Sequence, residues 1–265
     1  MTDPRPHGLT LPENNWMPVH RGESGAEVFR SSDGRRFAKR VPGSDAAALE
    51  AERDRLAWLG DAGLPVPRVL DWKLDGASGA ILITSAIAGV PADTLEAPTL
   101  IPAWPSIAAA VRRLHDVDPI GCPFDAGVAW RFELAESVVE RGAVNPEFLP
   151  VEQQQTPPDQ LIARLRSRRE RLETLEAADL VVTHGDLTLA NLLVDPERAT
   201  VTGFIDLGRA GRADRHADLA LLLETAREIW PDAAQTRARF ERIYGRALDP
   251  VRLRDYLHLD PLTWG

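Results

Sequence analysis

Two carboxylates and one amide lie close together in the sequence between Val181 and Asp206. The stretch reads VVTHGDLTLANLLVDPERATVTGFID, in which a short apolar strand precedes Asp186, Asn191 follows, and a strand–turn–strand ends on Asp206. This layout predicts two adjacent loops that deliver the three side chains together, as phosphoryl transfer requires. One Asp accepts the proton of the acceptor hydroxyl, while the Asn and the second Asp hold Mg²⁺ on the triphosphate of ATP.

The same stretch has a simpler interpretation, a β-hairpin with solvated turns. Asp, Asn and Gly are ordinary turn residues, so either half of the pattern alone is weak evidence for catalysis. Asp186 and Asn191 in one loop and Asp206 after the hairpin together favour the kinase chemistry.

Two motifs in this stretch resemble those of the aminoglycoside phosphotransferases. HGDLTLAN is similar to their H-G-D-x-x-x-x-N catalytic loop, and IDLGRAGRADRHADLAL is similar to their metal-binding loop and the helix after it. Protein kinases have the related H-R-D-x-x-x-x-N and D-F-G motifs. Gly185 stands here in place of the Arg of the first motif, and Leu207 in place of the Phe of the second.

The N-terminal part of the chain carries the predicted phosphate-binding residues. A turn of small residues includes Ser24, whose hydroxyl and neighbouring backbone N–H groups could approach phosphates. Lys39 follows on a predicted strand, and Glu52 lies on a predicted helix that begins at a Ser44 N-cap. A Lys–Glu pair of this kind holds the Lys against the α- and β-phosphates. Glu50 is an alternative partner, and the family resemblance favours Glu52.

The resemblance implies an α+β, bilobal, protein-kinase-like fold, with a small β-rich lobe and a larger helical lobe. Residues 1–90 would form the nucleotide-binding lobe and residues 91–265 the catalytic and acceptor-binding lobe, with ATP in the cleft between them. Backbone groups of the segment that contains Ile83 and Ala86 would meet the adenine edge. Four prolines between Ala88 and Pro105 predict an extended connection at the boundary.

The second lobe is predicted to be mostly helical. Asp159 to Ala177 has the pattern of one charged helix, and another helix is predicted to start at Asp214. The acid of Asp218, near the start of that helix, suits the helix dipole. The resemblance adds a role for Asp218 as a brace of the catalytic loop. Arg209 or Arg212 could approach phosphate oxygens, although each such residue is more often a surface ion.

The last residues are the predicted acceptor-binding segment, because the C-terminal segment of aminoglycoside phosphotransferases lines the acceptor pocket. Asp260 and the terminal carboxylate of Gly265 are candidate partners for cationic groups of the acceptor. The alternative is simple packing of Leu262 and Trp264. Similar stretches extend over nearly the whole chain and are most similar to the branch that phosphorylates the 3''-hydroxyl of streptomycin. They include WMPVHRGESGAEVFR, AVNPEFLP and LDPLTWG.

Composition excludes several classes of protein. The chain has 265 residues and a net charge of −9, which disfavours a nucleic-acid partner and is compatible with a cationic small molecule. No signal-peptide pattern is evident, and the apolar run around Ala80 to Val90 is far shorter than the ~20 residues of a membrane span. Cys122 is the only cysteine, so no internal disulfide forms. We predict a cytoplasmic monomer.

Three other functions are compatible with parts of the sequence. A kinase of the same fold could act on another aminoglycoside or a small metabolite. A protein kinase is disfavoured because no A-P-E segment or long activation loop follows Asp206. A nucleotide-binding pseudoenzyme is disfavoured because all five kinase residues are present: Lys39, Glu52, Asp186, Asn191 and Asp206.

Overall fold

The structure is a computed structural model that describes residues 11–12, 15–19, 26–75, 79–227, 229–230 and 232–265. The chain divides into two compact units. The first contains the residues up to Gly89 together with Thr202–Gly208, and the second contains Val90–Val201 and Arg209–Gly265. The first unit is rich in strands and the second mostly helical, as the α+β prediction requires. Nucleotide binding by the first and acceptor binding by the second stay predictions.

An antiparallel sheet of five strands forms most of the first unit, in the order β1-β2-β3-β5-β4. The strands are β1 (Trp16–Val19), β2 (Glu27–Ser31), β3 (Arg36–Val41), β4 (Val69–Asp75) and β5 (Gly79–Ser85). Ala38, Ile81 and Ile83 form a buried cluster on one face of the sheet, against which Trp16 and Phe29 pack. Burial of these alternating apolar residues fixes the register of the strands, because a slip of one residue would turn them toward water.

Helix α1 (Ala46–Asp61) packs on this sheet and carries Glu52 on its buried face. The predicted N-cap at Ser44 is wrong. A single 3₁₀ turn over Gly43–Asp45 takes in Ser44, so the helix starts later, with Asp45 at the N-cap position and no side-chain cap. Leu49, Leu56 and Leu59 share the buried side with Glu52, which is the helical spacing that the sequence predicted.

Seven helices and several short strands lie in the second unit within the described residues. The helices are α2 (Ala97–His115), α3 (Val128–Glu140), α4 (Pro158–Arg166), α5 (Arg169–Asp179), α6 (Arg215–Arg227), α7 (Ala233–Tyr244) and α8 (Pro250–Leu259). The strands are β6 (Val90–Pro91), β7 (Leu180–Thr183), β8 (Leu192–Asp195) and β10 (Gly211–Asp214), and β9 (Thr200–Phe204) begins in the second unit and ends in the first.

The proline-rich segment before residue 105 is a helix for much of its length, and the prediction of an extended connection is wrong there. Helix α2 contains Pro102 and Pro105 in its interior. Each interior proline costs about 3 kcal/mol. Burial of a large apolar side chain contributes about 1.5–3 kcal/mol. The helix fully buries several such side chains, which outweigh the prolines: Leu100, Trp104, Ile107, Val111 and Leu114.

The predicted single helix from Asp159 to Ala177 is two helices, α4 and α5. The N–H of Arg168 donates to Leu165 O at 2.8 Å, a tighter turn than an α-helix makes, and this turn ends α4. The Arg168 guanidinium pairs with Asp255 of α8, which is fully buried. A long-range ion pair therefore accompanies a break that local periodicity does not reveal.

Of the helices in the part of the chain that the structure describes, none combines the length and the apolar character that a membrane-spanning helix needs.

Candidate active site

The catalytic loop follows β7 in the second unit. This strand pairs antiparallel with β10, and the Thr183 hydroxyl donates to Gly211 O at 2.9 Å. Val181, Val182 and Thr183 are buried, so the strand is held on both faces where it ends. His184, also buried, and Gly185 come next, and Asp186 is the first residue of the loop that is partly exposed. A rigid strand end thus presents a single carboxylate.

Asn191 orients this carboxylate. It closes a single 3₁₀ turn over Leu189–Asn191, which places its amide beside Asp186. The Asn191 Nδ2 group donates to the Asp186 carbonyl at 2.8 Å and to Asp186 Oδ2 at 3.0 Å. The sequence prediction that Asp186 and Asn191 meet is therefore confirmed. These bonds use the NH₂ end of the amide and leave its Oδ1 oxygen to other partners.

Asp218 of α6 braces the start of the loop. Its Oδ2 accepts from the N–H of His184 at 2.7 Å, and its Oδ1 accepts from the N–H of Gly185 at 2.9 Å. The prediction of a structural support is confirmed, although α6 begins at Arg215 rather than at Asp214, which ends β10. Burial alone would raise the pKa of Asp218, but bonds from His115 and from the His184 backbone outweigh it and lower this pKa.

His115 extends the brace into the core. Its Nε2 lies 3.1 Å from Asp218 Oδ2, and its Nδ1 lies 2.7 Å from the Tyr244 hydroxyl. The two ring nitrogens of His115 therefore link Asp218 to Tyr244. Burial raises the pKa of Tyr244 to about 12, so the phenol keeps its proton at neutral pH. A chain of hydrogen bonds therefore runs from Tyr244 to the backbone of the catalytic loop.

Gly185 makes a close backbone contact possible. Its φ is +88°, a conformation that L side chains rarely adopt. A Cβ at this position would collide with the carbonyl group of Arg209. The departure from the protein-kinase motif, where an Arg stands, therefore has a steric reason in this chain.

The first unit contains the second group of predicted site residues. Lys39 Nζ on β3 lies 2.8 Å from Glu52 Oε2 on α1 and 3.4 Å from Asp206 Oδ1. Glu50, the alternative partner, instead accepts from Arg53 at 3.2 Å. Lys39 and Glu52 therefore form the strand–helix ion pair that the sequence predicted.

Electrostatics keep the Lys39 ammonium charged. Burial would lower the pKa of Lys39, but the carboxylates of Glu52 and Asp206 outweigh it and raise this pKa. Burial raises the pKa of Glu52 as well, against the attraction of Lys39, and the Asp206 carboxylate adds to that rise. The Lys39 ammonium therefore lies between two carboxylates, those of Glu52 and Asp206.

Asp206 stands two residues beyond β9 in a left-handed conformation, with φ of 59°. Asn and Asp tolerate this region better than most residues, but a non-glycine residue there is still strained. The Asp206 side chain is half exposed, in contrast to that of Glu52. The loop thus holds a carboxylate in the open beside Lys39.

The donor atoms suit magnesium. Asn191 offers an amide oxygen and Asp206 a carboxylate, and Mg²⁺ prefers oxygen ligands of this kind. The Asp206 side chain is half exposed, so its carboxylate is accessible to a cation. Asn191, in the second unit, and Asp206, in the first, therefore each carry an oxygen donor of the kind that fits Mg²⁺.

The other predicted site residues have different surroundings. Ser24 lies outside the described residues. Ile83 is buried within the interior strand β5, and its backbone stands between Ala38 of β3 and Asp71 of β4. The N–H of Ala86, after the strand, donates to Arg35 O at 2.8 Å. The nucleotide-binding roles of these residues stay predictions.

The two predicted acceptor residues are both in contact with arginines. Asp260 Oδ1 lies 3.5 Å from Arg131 Nη1, and its Oδ2 accepts from Trp264 Nε1 at 3.1 Å. Burial raises the pKa of Asp260 above its ordinary value. The Gly265 carbonyl oxygen accepts from Arg141 Nη2 at 3.5 Å. The roles of Asp260 and Gly265 in acceptor binding stay predictions.

Two arginines near the loop were not predicted in the roles they have. Arg131 of α3 is buried and reaches the carbonyl of Gly185 as well as Asp260. Arg209 contacts Thr263 and Trp264. The Arg209 side chain was expected at phosphate oxygens or in solvent. No local sequence signal predicts these long-range contacts.

A model of the Phosphotransferase enzyme family matches residues 15–256. Streptomycin 3''-kinase of Streptomyces griseus is 55% identical to the chain over 273 residues, which span 100% of each protein. Aminoglycoside 3'-phosphotransferase of Streptomyces fradiae is 35% identical, over 94% of this chain and 95% of the relative.

Among solved structures, aminoglycoside phosphotransferase APH(3'')-Id from Streptomyces rimosus superposes with a TM-score of 0.92 at 53% identity, covering 96% of this chain and 94% of that one. The same enzyme has been solved in complex with ADP and streptomycin. These likenesses confirm the predicted kinase-like fold. The chain belongs to the phosphotransferase enzyme family and, within it, to the aminoglycoside phosphotransferases.

Proposed function

We propose that the chain is an ATP-dependent kinase that transfers the γ-phosphoryl group of ATP to the 3''-hydroxyl of streptomycin and so confers resistance to this antibiotic. The observation that carries the chemistry is the hydrogen bond between Asn191 Nδ2 and Asp186 Oδ2, at 3.0 Å. The full-length likeness to the streptomycin 3''-kinase supports the choice of acceptor.

Asp186 is the proposed base. Its partly exposed carboxylate accepts the proton of the acceptor hydroxyl as the hydroxyl oxygen attacks the γ-phosphorus, and the bond from that phosphorus to the bridging oxygen of ADP breaks. The proton then leaves from Asp186 to solvent or to the products. Asn191 keeps the carboxylate oriented throughout, because its NH₂ group donates to the backbone carbonyl of Asp186 and to one carboxylate oxygen, Oδ2.

Lys39 is the proposed partner of the α- and β-phosphates. Glu52 holds the ammonium group of Lys39 in place. The raised pKa of Lys39 keeps this group cationic over the neutral range. Ser24 and the backbone at Ile83 and Ala86 complete the proposed nucleotide contacts. Asp260 and Gly265 are the proposed partners of cationic groups on the acceptor. Guanidinium groups would suit the Asp260 carboxylate because they pair with two oxygens at once.

Asn191 and Asp206 would hold Mg²⁺. The metal would neutralise charge on the phosphates when bound. Until the metal and nucleotide are present, the Asp206 carboxylate is partly compensated by Lys39 at 3.4 Å. The magnesium requirement, a monomeric state and a cytoplasmic location stay predictions.

A coupled ATP-consumption assay with Mg²⁺ tests the proposal. The acceptors would be streptomycin, kanamycin, neomycin and hygromycin, with a blank that contains no acceptor and Asp186→Asn as the low-activity control. We expect turnover with streptomycin alone. Turnover with a different aminoglycoside would keep the mechanism and overturn the acceptor. Nucleotide binding without turnover on a wider panel of metabolites would favour a binding module instead.

A further inference from the structure

The C-terminal segment Asp260–Trp264 is held by two arginines from distant parts of the second unit. Arg131, on α3, pairs with Asp260. Arg209 donates from Nη1 to the Thr263 hydroxyl at 2.7 Å and from Nη2 to the Thr263 carbonyl at 2.9 Å. The segment is therefore fixed at both of its ends.

The contact of Arg209 is specific to arginine. Its guanidinium carbon lies 3.3 Å from the centre of the Trp264 ring, while the two nitrogens reach Thr263. A planar fork can stack on an aromatic face and donate two hydrogen bonds at the same time, and a lysine ammonium cannot. Thr263 in turn donates its hydroxyl proton to Asp260 O at 2.7 Å, which ties the segment to itself.

Both arginines also contact the catalytic loop. Arg131 Nη2 donates to the carbonyl of Gly185 at 3.4 Å and its Nε donates to Ala126 O at 3.0 Å. The backbone of Arg209 packs so closely on Gly185 that a Cβ there has no room. The residue before Asp186 is thus joined through two arginines to the segment that carries Asp260.

We propose that Arg209 is a positioning residue that fixes the C-terminal segment against the catalytic loop and thereby places the aminoglycoside relative to Asp186. The inference rests on the proposed function, in which Asp260 and its neighbours face the acceptor. It assigns the Arg209 side chain to acceptor placement rather than to phosphate binding.

Steady-state kinetics distinguish these two roles. For Arg209→Ala we expect the KM for streptomycin to rise about 10-fold or more, since charge-assisted hydrogen bonds to the segment are lost, while the KM for ATP stays within about 2-fold. Arg209→Lys should restore little, because the charge is kept and the fork is lost. Arg254→Ala, an exposed arginine on α8, is the matched control and should behave as wild type.

Thr263→Val provides a second, milder variant that keeps the shape of the side chain. It should raise the KM for streptomycin in the same direction as Arg209→Ala, and the effects in the double variant should be less than additive, because both single variants remove the bond between Arg209 and the Thr263 hydroxyl. Fully additive effects would overturn the inference. A rise in the KM for ATP in Arg209→Ala that is absent in Arg209→Lys would also overturn it and would assign Arg209 to phosphate binding.

Hydrogen–deuterium exchange tests the contact without any turnover. In Arg209→Ala the amides of Asp260, Leu262, Thr263 and Trp264 should exchange faster than in wild type, while those of β7 should not change. Unchanged exchange in the segment would overturn the inference. If wild type phosphorylates no aminoglycoside, the proposed function fails, and the exchange experiment still decides whether Arg209 holds the segment.

Discussion

At the scale of residues, the proposed chemistry depends on the hydrogen bonds between Asn191 and Asp186. One amide group bonds both the backbone carbonyl and the carboxylate of Asp186. Positioning and electrostatics supply nearly all of the catalysis in phosphoryl transfer, so the orientation of this carboxylate matters more than its basicity. Both residues were predictable from the sequence because the motif places them in one short loop.

Replacement of Asp186 by Asn should lower kcat by ~10²–10⁴-fold, since general-base catalysis contributes about this factor. The KM for ATP should change little, because Asp186 is not assigned to the nucleotide. Steady-state kinetics with streptomycin would measure both. Glu197→Gln, an exposed carboxylate in the hairpin after Asn191, is the control. Near-normal kcat in Asp186→Asn would remove Asp186 from the mechanism.

Gly185→Ala should destabilise the protein and inactivate it. The substitution imposes a positive φ on alanine, which costs about 1–3 kcal/mol, and its Cβ collides with the Arg209 backbone. Gly63 has a φ of +79° and nothing within 4 Å of a built Cβ, so Gly63→Ala is a control for strain alone. Urea unfolding should show the larger loss for Gly185→Ala. Equal losses would mean that the close contact is unimportant.

At the scale of elements, the structure depends on side chains that join one element to another. Lys39 joins β3 to α1 through Glu52, and Asp218 joins α6 to the end of β7 through two backbone N–H groups. These links were predictable because a family motif or a helical spacing marks them. The proline-containing helix α2 and the break between α4 and α5 were not, because apolar burial and a distant ion pair decide them.

The β3–α1 pair predicts a graded effect on nucleotide binding. Lys39→Ala should raise the KM for ATP about 10- to 100-fold, the equivalent of one charge-assisted hydrogen bond. Glu52→Gln keeps the shape but removes the charge that holds Lys39, and its effect should be smaller. Glu50→Gln, on the same helix but paired with Arg53, should have no effect. A larger effect of Glu50→Gln than of Glu52→Gln would contradict the assigned pairing.

At the scale of the whole molecule, an excess of acid coexists with buried ion pairs. The net charge is −9, yet Asp214 is fully buried between His216, at 2.7 Å, and Arg252, at 3.1 Å. Asp179, Asp214 and His216 lie close enough to suggest a metal site. Arg252 pairs with Asp179 at 2.9 Å as well, so cationic side chains already balance these acids. Sequence alone did not predict this network, whose members are far apart along the chain.

Stability should fall in acid because of the buried aspartates. Burial would raise the pKa of Asp214, but bonds from His216 outweigh it and lower this pKa, as His115 lowers that of Asp218. A carboxyl group whose pKa is lowered by folding stabilises the protein at pH values above the ordinary pKa of that group, which is 3.8 for Asp. That stabilisation is lost as pH falls through the folded pKa.

Tm measured against pH by circular dichroism would test this account. We expect a steep fall in Tm below about pH 4 in wild type, since ordinary carboxyl values lie near there. Asp214→Asn should have a lower Tm at neutral pH and a shallower fall in acid. Asp159→Asn, an exposed acid at the start of α4, should follow the wild-type curve. If the Tm of Asp214→Asn falls as steeply with pH as that of wild type, groups other than Asp214 cause the loss of stability in acid.

The most direct test of the central claim is identification of the product formed from streptomycin, ATP and Mg²⁺. Phosphorus and proton NMR of the purified product would locate the new phosphate ester. The account predicts a single ester at the 3''-hydroxyl, formed by wild type and formed ~10²–10⁴-fold more slowly by Asp186→Asn. An ester at another hydroxyl, or ATP hydrolysis without any phosphorylated streptomycin, would contradict it.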